Sequence, residues 1–431
     1  MDGDKIKLST FFLTGLASAA LCLFGPISTS QDEQIPIGEE RPQALRIWPS
    51  QPPASCPFPN SAVISGIGFT GKHRKYTGAD TWYPSWAANG NMYSPWTDGE
   101  VNGVLSSSGL IWTQNPRTGH AVIIGDDPLL FQFADSGTYA DYPVPYEGRY
   151  PCGSLVYDGV WYYGTYCLLD SDGDPSKGLN WDILGPFVGF RTSTDYGINW
   201  RDCPHTPSDP LFGEPAEPGG PVKIGTPHFV DFGKNMQYSP DGKAYLVGHG
   251  ATDPDPMPRP ANLSWGTGDQ IYLLRVQPGL RNMNDLEEYE FFGGHDSSGQ
   301  PIWTPEFSRV KPLIDWNNNC GCVTMTYNPG LKKYMLCVTD AVNTISKFNT
   351  YILESDRITG PWKMAVYMKH FGEQAYFVNI PAKFISADGR TAWLCYASNF
   401  TNAYLDTNFK DDPPGGGYGM VLQEFKLLPE E

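Results

Sequence analysis

The feature that most constrains the fold of this chain is a turn motif that recurs along it. Each copy joins an apolar, strand-like run to a second, aromatic run. The five turns are Asn89-Gly90, Asp158-Gly159, Asp241-Gly242, Asn328-Pro329-Gly330 and Asp388-Gly389. Asn-Gly and Asp-Gly pairs between alternating apolar runs indicate β-hairpins, because both residue types tolerate the positive φ angles of a tight turn. The sequence therefore predicts five hairpins with tight, Gly-containing turns.

The spacing of these hairpins predicts how they are arranged. Successive turns lie roughly 60 to 90 residues apart, which is enough chain for a sheet of four strands. A further strand-like run follows each hairpin, such as G-H-A-V-I-I-G after the first and G-M-V-L-Q-E-F after the last. Repetition of one sheet at this period favours an all-β, five-bladed β-propeller, and the alternative is a pair of ordinary antiparallel domains.

Bulk composition agrees with a folded β domain and excludes several other classes. Aromatic residues make up 14% of the 431 residues and charged residues only 18%, so the chain is neither disordered nor a coiled coil. Its net charge of −17 would repel a phosphate backbone, which argues against nucleic acid as a partner. Cys320-Gly-Cys322 lacks zinc-finger spacing. We therefore predict no cofactor, with a calcium or sodium ion in the central channel left open.

The first 30 residues predict an export signal. Lys5 and Lys7 precede an apolar stretch at residues 11–24, which contains small residues and is short for a membrane span. Residues 31–60 are rich in Pro, Gln and Glu and predict a linker or an N-terminal arm lying over the domain. Residues 61–431 would then form a secreted propeller that leaves the membrane when the signal is removed, and an uncleaved anchor is the alternative.

The first hairpin differs from the other four because it has an aspartate at both strand ends. Asp80 and Asp98 lie 18 positions apart, and folding at Asn89-Gly90 brings them together. A two-residue loop would place Asp80 opposite Gly99, whereas a three-residue loop would place it opposite Asp98. Paired carboxylates serve as nucleophile or base and as acid in glycosidases, so we predict that this pair is catalytic. The choice between retention and inversion stays open.

Polar and aromatic residues of several blades are expected at the same rim, because the hairpins open toward one end of the channel. We predict that the following residues bind substrate: Trp82, Tyr83, Trp96, Thr226, His228, Asn319, Glu373, Gln374, Tyr376 and Asn379. Structural alternatives exist for many of them. Trp96 could be a core residue, His228 a satisfied structural histidine and Glu373 a solvated loop carboxylate.

Two further motifs support the propeller. Residues 193–200, S-T-D-Y-G-I-N-W, resemble the Asp box of sialidase-type propellers, in which Asp and Ser satisfy turn amides and Trp packs against the sheet. That role is structural and lies away from an active site. Residues 355–362, S-D-R-I-T-G-P-W, resemble an element of five-bladed glycosidases.

Two segments also resemble a known enzyme family. Residues 79–99 and 377–396 are similar to endo-D-arabinanases of glycoside hydrolase family 183 and, more distantly, to five-bladed propeller glycosidases that act on furanosides, such as arabinanases and fructan hydrolases. The resemblance implies hydrolysis of arabinan-like oligo- or polysaccharides, with Asp80 and Asp98 taking part in catalysis. An insert at residues 213–220 and a Pro-rich loop at residues 253–260 depart from the family pattern and bear on the substrate.

Two other functions remain as alternatives to the hydrolase. One is a non-catalytic carbohydrate-binding propeller, a lectin, which would need the aromatic residues but not both aspartates. The other is a polysaccharide lyase, which would need a tyrosine or histidine base and an acidic substrate. The sequence leaves endo against exo action and the oligomeric state open.

Cysteines and glycosylation acceptors complete the predictions. Cys152 and Cys203 bracket one repeat and could form a disulfide. Asn262 and Asn399 each begin an Asn-X-Ser/Thr acceptor, which matters only in a host that glycosylates.

Overall fold

The computed structural model describes residues 44–170, 181–250, 264–405 and 407–430, all of which fall within one of its two structural units. The predicted export signal, residues 1–30, and the first part of the predicted arm, residues 31–43, lie outside the described residues. Among the described residues, no helix has the length and apolar character needed to cross a bilayer.

Antiparallel strands are the main regular secondary structure of the described chain. The first two strands, which pair with each other, are β1 (Arg46–Trp48) and β2 (Gly66–Tyr76). The next six are β3 (Ser85–Trp86), β4 (Met92–Trp96), β5 (Gly99–Val101), β6 (Val104–Ser106), β7 (Arg117–Ile124) and β8 (Gln132–Ala140). Blade 1 has the strand order β3-β4-β7-β8, and β5 and β6 form a separate two-stranded ribbon.

Blades 2 and 3 follow in sequence. Blade 2 consists of β9 (Gly148–Tyr157), β10 (Val160–Leu169) and β11 (Ile183–Ser193). Blade 3 consists of β12 (His228–Phe229), β13 (Ala244–Gly250), β14 (Gly268–Val276), β15 (Tyr289–His295) and β16 (Pro301–Thr304), with β17 (Pro312–Cys320) also paired to β14.

Blades 4 and 5 complete the chain. Blade 4 consists of β18 (Val323–Asn328), β19 (Lys333–Asp340), β20 (Asn349–Ser355) and β21 (Lys363–Met368). Blade 5 consists of β22 (Ala375–Asn379), β23 (Thr391–Ser398) and β24 (Met420–Leu428), joined by β2 and β1. Helices in the described ranges are single turns: α1 (Thr401–Tyr404) and 3₁₀ helices at Lys234–Met236, Asn282–Asn284, Leu286–Glu288, Phe307–Arg309 and Ala382–Phe384.

Successive sheets meet along their inner strands and close into a ring. Strand β4 contacts β9, β9 contacts β12, β12 contacts β18, and β18 contacts β22. The ring closes where blade 5 meets blade 1: Asn379 Nδ2 donates to the Trp82 carbonyl at 3.0 Å. Lys383 Nζ donates to the Gly90 carbonyl at 2.8 Å. The structure thus confirms the five-bladed β-propeller and excludes two separate antiparallel domains.

Blade 5 takes strands from both ends of the described chain. Strand β2 pairs with β24 along most of its length, and β1 adds an outer strand to β2. Residues 44–60, which belong to the predicted arm, thus supply one strand of a sheet, and Ser50 and Asn60 also form bridges to blade 4. The predicted boundary at residue 61 stays a prediction.

All five predicted hairpins join the first two strands of a blade, but their turns differ. Asp158-Gly159 links β9 to β10 directly, with φ angles of 47° and 80°, as a tight hairpin turn requires. The prediction of tight turns is wrong for Asp241-Gly242 and Asp388-Gly389, which lie in longer connections at residues 230–243 and 380–390. These longer connections contact each other, because Asp231 Oδ2 accepts a hydrogen bond from the Ala382 amide at 2.7 Å.

The Asp-box segment plays the structural role that its motif predicts. Ser193 Oγ accepts a hydrogen bond from the Gly197 amide at 2.8 Å, and Asp195 Oδ1 accepts one from the Asn199 amide at 2.8 Å. The Trp200 ring packs among aromatic rings of blades 1 and 2. The motif therefore closes a turn on the outer part of the molecule.

The predicted modifications are not supported. Cys152 and Cys203 are free thiols, and they belong to different hydrophobic clusters, so the predicted disulfide is wrong. Asn399 is only 3% exposed, and its side-chain amide donates to the Lys410 carbonyl at 3.2 Å. A buried amide with that partner is no glycan acceptor. Asn262 lies outside the described residues.

Candidate active site

The first hairpin turns through a three-residue loop. The Ala87 amide donates to the Asn91 carbonyl at 3.0 Å, so residues 88–90 form the loop. Within it, the Gly90 amide donates back to the Ala87 carbonyl at 3.0 Å, and Gly90 has a φ of 92°. Asn89-Gly90 is therefore part of the turn, and the two-residue alternative is wrong.

The mouth of this hairpin has a register that neither alternative predicts. Asp80 pairs with Thr97 through backbone hydrogen bonds of 2.9 and 3.0 Å, rather than with Asp98 or Gly99. Thr81, with a φ of 65°, interrupts the ladder between turn and mouth, and the pairing shifts there by one residue. Asp98 also has a positive φ, 48°, and lies directly after the partner of Asp80. The two aspartates are therefore neighbours despite the shift.

Hydroxyl groups hold both oxygens of the Asp80 carboxyl group. Thr81 Oγ1 donates to Oδ1 at 2.8 Å, and Tyr376 Oη, from β22 of blade 5, donates to Oδ2 at 2.9 Å. The Asp80 residue is 8% exposed. A carboxyl group with two such donors has a fixed orientation in a nearly dry environment.

Asp98 is more open to solvent and is held by the ribbon that follows it. The Ser108 amide donates to Asp98 Oδ1 at 2.9 Å, and Thr97 Oγ1 makes a longer contact of 3.4 Å with the same oxygen. Tyr418 Oη, from blade 5, donates to the backbone carbonyl of Asp98. Asp98 is half-buried as a residue, whereas Asp80 is buried.

Burial raises the pKa of both carboxyl groups, and the charge of Asp98 adds to the shift of Asp80. Burial, and next to it the charge of Asp98, raise the pKa of Asp80 well above its ordinary value. Burial raises the pKa of Asp98 to about 6, although the Ser108 amide acts in the opposite direction. Two carboxyl groups in this situation favour a state in which they hold one proton between them. The arrangement can therefore supply an acid and a carboxylate at the same place.

Both tryptophans that were predicted to bind sugar are core residues, which corrects that prediction. Trp96 is fully buried, and a Cβ atom on Gly119 would lie 2.3 Å from its ring. Trp82 is 1% exposed, and its Nε1 donates to the Ala79 carbonyl at 2.8 Å. Neither indole presents a face to a sugar; both support the backbone of the aspartates instead.

Tyr83 and His228 meet where blades 1 and 3 line the channel. Their ring centroids lie 3.9 Å apart, and Phe377 of blade 5 lies 5.6 Å from Tyr83. His228 is 2% exposed, and within the described part of the chain neither ring nitrogen has a hydrogen-bond partner. Burial lowers the pKa of His228 to about 3, so its imidazole is neutral. Both side chains thus line the wall of the channel.

The predicted ligands of blade 5 hold loops together. Gln374 is fully buried; its Nε2 donates to the Ser346 carbonyl at 3.1 Å, and its Oε1 accepts from Thr401 Oγ1 at 3.0 Å. Glu373 Oε1 forms an ion pair of 2.9 Å with Lys347. Direct substrate binding by Gln374 is therefore wrong, because its amide is enclosed, and Glu373 is held by a neighbouring lysine.

The remaining predicted ligands are dispersed around the channel. Thr226 is fully buried beside His249, with 3.2 Å between Oγ1 and Nδ1, so it offers nothing to a ligand. Asn379 is 8% exposed, and its amide is used by the Trp82 carbonyl. Asn319 is half-buried, with its amide donated to the Asn317 carbonyl at 2.6 Å. The structure does not bring these three side chains to the aspartate pair.

The residues that hold the aspartates were largely missed from the sequence. Thr81, Ser108 and Tyr418 contact Asp80 or Asp98, and Tyr376 was predicted as a sugar ligand rather than a partner of Asp80. The adjacent Thr81 was the one available signal. Within the described ranges, no three His, Cys, Asp or Glu side chains are grouped so that they could hold a metal ion.

Comparisons with solved structures find proteins with a similar fold but low sequence identity and low TM-scores. No protein-family model matches the chain, and no curated protein matches it. An α-L-arabinofuranosidase from Podospora anserina is 11% identical with a TM-score of 0.42, covering 83% of this chain and 92% of that one. The catalytic domain of a GH62 α-L-arabinofuranosidase from Coprinopsis cinerea is 12% identical with a TM-score of 0.42, covering 81% and 91%. An arabinanase from Bacillus subtilis is 13% identical with a TM-score of 0.38, covering 82% and 95%. At these values the activities of those proteins say nothing about this one.

Proposed function

We propose that this protein is a glycoside hydrolase that cleaves furanosidic, arabinan-like glycans at the Asp80–Asp98 pair. The observation that supports the proposal is the pair itself: two neighbouring carboxyl groups, both with raised pKa values, at one hairpin mouth. The furanosidic substrate rests on the resemblance of residues 79–99 and 377–396 to endo-D-arabinanases of glycoside hydrolase family 183. The predicted export signal at residues 1–30 fits an enzyme that acts on extracellular polysaccharide.

The chemistry follows from the single proton that the pair favours. The aspartate that keeps the proton gives it to the leaving oxygen of the glycosidic bond, while the ionised aspartate attacks the sugar or activates a water molecule. Burial keeps bulk water away from Asp80, which strengthens the field of each carboxyl group on the developing positive charge of the sugar. The hydroxyl groups of Thr81 and Tyr376 keep the Asp80 carboxyl group aligned during the reaction.

Product release from a panel of polysaccharides tests the proposal. Wild-type protein is incubated with arabinans and other furanosidic glycans, beside Asp80→Asn, Asp98→Asn and the control Asp202→Asn, an exposed aspartate beyond the Asp box. We expect reducing ends from wild type and from Asp202→Asn only. If Asp80→Asn and Asp98→Asn release as much product as wild type, the catalytic assignment is contradicted. Binding of a glycan without any cleavage by wild type would favour a lectin.

A further inference from the structure

We propose that two tyrosines of blade 5, Tyr376 and Tyr418, position the two aspartates of blade 1, so that the pair is assembled only when the ring of blades is closed. The inference rests on the proposed function and concerns how that site is built. Tyr376 contacts Asp80 and Tyr418 contacts Asp98, and both tyrosines lie about 300 positions away in the sequence. The last blade of the chain thus completes the site of the first.

Tyr376 is held rigidly by the rings around it. It is 1% exposed, and its ring centroid lies 4.8 Å from Phe377, 5.2 Å from Trp265 and 5.5 Å from Phe400. Its hydroxyl group is 2.9 Å from Asp80 Oδ2. Because the ring cannot turn away, the hydroxyl donor is preorganised for that oxygen.

Tyr418 acts on the backbone of Asp98 rather than on its carboxyl group. Its hydroxyl group donates to the Asp98 carbonyl, at a residue whose φ is 48°. The loop with Tyr418 is anchored in turn, since the Gly417 amide donates to Ser398 Oγ at 2.9 Å. This contact stabilises a backbone conformation that a non-glycine residue adopts at a cost.

The two contacts differ in what they do chemically. The titratable groups that face Asp80 are Asp98, Tyr376, Tyr83 and Tyr166, and Asp98 is the one among them that lies close and is ionised near neutral pH. A hydroxyl donor on Asp80 favours its ionised form, so its loss raises the pKa of the pair. Loss of the Tyr418 contact leaves every donor to a carboxyl oxygen in place and changes only position.

The seam between blades 5 and 1 does not depend on these hydroxyl groups. Asn379 and Lys383 of blade 5 bind backbone carbonyl groups of blade 1, and neither bond uses a tyrosine hydroxyl group. We therefore expect Tyr376→Phe and Tyr418→Phe to keep a closed ring. Tyr289→Phe is the matched control, because Tyr289 is also buried and donates a single bond, to the Met283 carbonyl at 2.8 Å, in blade 3.

The pH dependence of kcat/KM tests the role of Tyr376. In Tyr376→Phe we expect the profile to move to higher pH by about 1 to 2 units, the size of a hydrogen bond to a charged group. Titration of ¹³C-labelled aspartate carboxyl groups by NMR should show the same upward shift without substrate, with Asp80→Asn to assign the signal. Tyr289→Phe should match wild type in both measurements. A Tyr376→Phe profile and titration equal to wild type would overturn the inference.

Tyr418→Phe gives an independent test of position. We expect a loss of about tenfold in kcat with an unchanged KM and an unchanged pH midpoint, because displacement of a catalytic group costs rate rather than binding. A kcat equal to that of Tyr289→Phe would overturn this part. If wild type cleaves no glycan, the proposed function fails, and the NMR titration still decides whether Tyr376 controls Asp80.

Discussion

The hairpins of blades 1 and 2 have the same place in the propeller but different mouths. In blade 2, β9 and β10 are ten residues each, and their pairing reaches the mouth, where Leu168 is opposite Gly148. In blade 1, β3 has only two residues, and the pairing is interrupted between Ser85 and the Asp80–Thr97 bridge at the mouth. Both mouths have two acidic residues: Glu147 and Asp170 in blade 2, and Asp80 and Asp98 in blade 1.

The interruption of strand pairing in blade 1 determines which groups its acidic side chains contact. In blade 2, Glu147 Oε2 accepts the Asp170 amide at 3.1 Å, so the acid serves the backbone of its own hairpin. In blade 1, Thr81 leaves the ladder, and the Asp80 carboxyl group meets Tyr376 of another blade. Backbone strain of this kind is found where function requires a particular side-chain position. The β9–β10 pairing of blade 2 also shifts its register once, between Tyr163 and Thr165. The positive φ of Thr81 and the contact of Asp80 with Tyr376, rather than irregular pairing or the presence of two acids, therefore distinguish the candidate site.

Replacing one acid in each mouth gives the largest expected contrast. Asp80→Asn should lower kcat/KM by about a thousandfold, because it removes a carboxyl group from acid–base or nucleophilic chemistry. Glu147→Gln should stay within about twofold of wild type, since a backbone partner can be replaced by an amide. The comparison is made by measuring kcat/KM of both variants on the glycan that wild type cleaves fastest. Circular dichroism checks that both variants are folded. Comparable losses in both variants would remove the distinction between the two mouths.

The packing of Trp96 against Gly119, below the blade 1 mouth, can be disturbed by a substitution that leaves Asp80 and Asp98 unchanged. Gly119→Ala should lower the free energy of unfolding by about 1 to 3 kcal/mol, because the new methyl group overlaps the Trp96 ring. Gly78→Ala is the matched control, since a Cβ there meets nothing within 4 Å. Urea unfolding of both variants measures the difference. Equal stability of the two would mean that Trp96 can move aside.

The tip of the blade 1 hairpin offers a smaller change. Lys383 Nζ donates to the Gly90 and Gly125 carbonyls at 2.8 and 2.7 Å, and Lys383→Met should cost about 1 to 2 kcal/mol of stability. Activity should fall less than about threefold, because the tip is at the other end of the hairpin from Asp80. Lys311→Met, at an exposed lysine, is the control. A large loss of activity at unchanged stability would show that the tip and the mouth are coupled.

The smallest expected effect concerns pH and stability. The folded-state pKa of Asp98 is raised to about 6, so its contribution to stability is present below the unfolded value near 3.8 and is lost as the pH rises through 6. Wild type should therefore lose on the order of 1 kcal/mol of stability between pH 4.5 and pH 7, which lowers Tm by about 1 °C. Asp98→Asn should flatten this part of the curve. A wild-type Tm that rises across this range would contradict the assignment.

The sequence alone led to the fold because the fold depends on local signals. Turn pairs such as Asp158-Gly159 set positive φ angles by residue type, and the apolar runs beside them set strands. The aspartate pair was also found, since a hairpin brings residues 80 and 98 together whatever its exact register. These inferences needed contacts between residues near each other in the chain.

The substrate ligands were predicted less well, for a physical reason. Whether Trp96 faces a sugar or Gly119 depends on how close neighbouring strands lie, which no local pattern specifies. The position of Gln374 at a predicted rim suggested that it binds substrate. In the structure, its side-chain nitrogen and oxygen are both hydrogen-bonded to neighbouring loops. Burial results from the packing of distant segments, so a rim residue in the sequence can be a core residue in the fold.

The sequence by itself determined five hairpins, their order around a propeller and the one hairpin with two aspartates. Only the tertiary structure decided that Asp80 pairs with Thr97 and that Tyr376 of blade 5 holds its carboxyl group. The reason is the range of the interactions. Turns and strand alternation follow from neighbouring residues, whereas a contact between residues 80 and 376 exists only after blade 5 closes on blade 1.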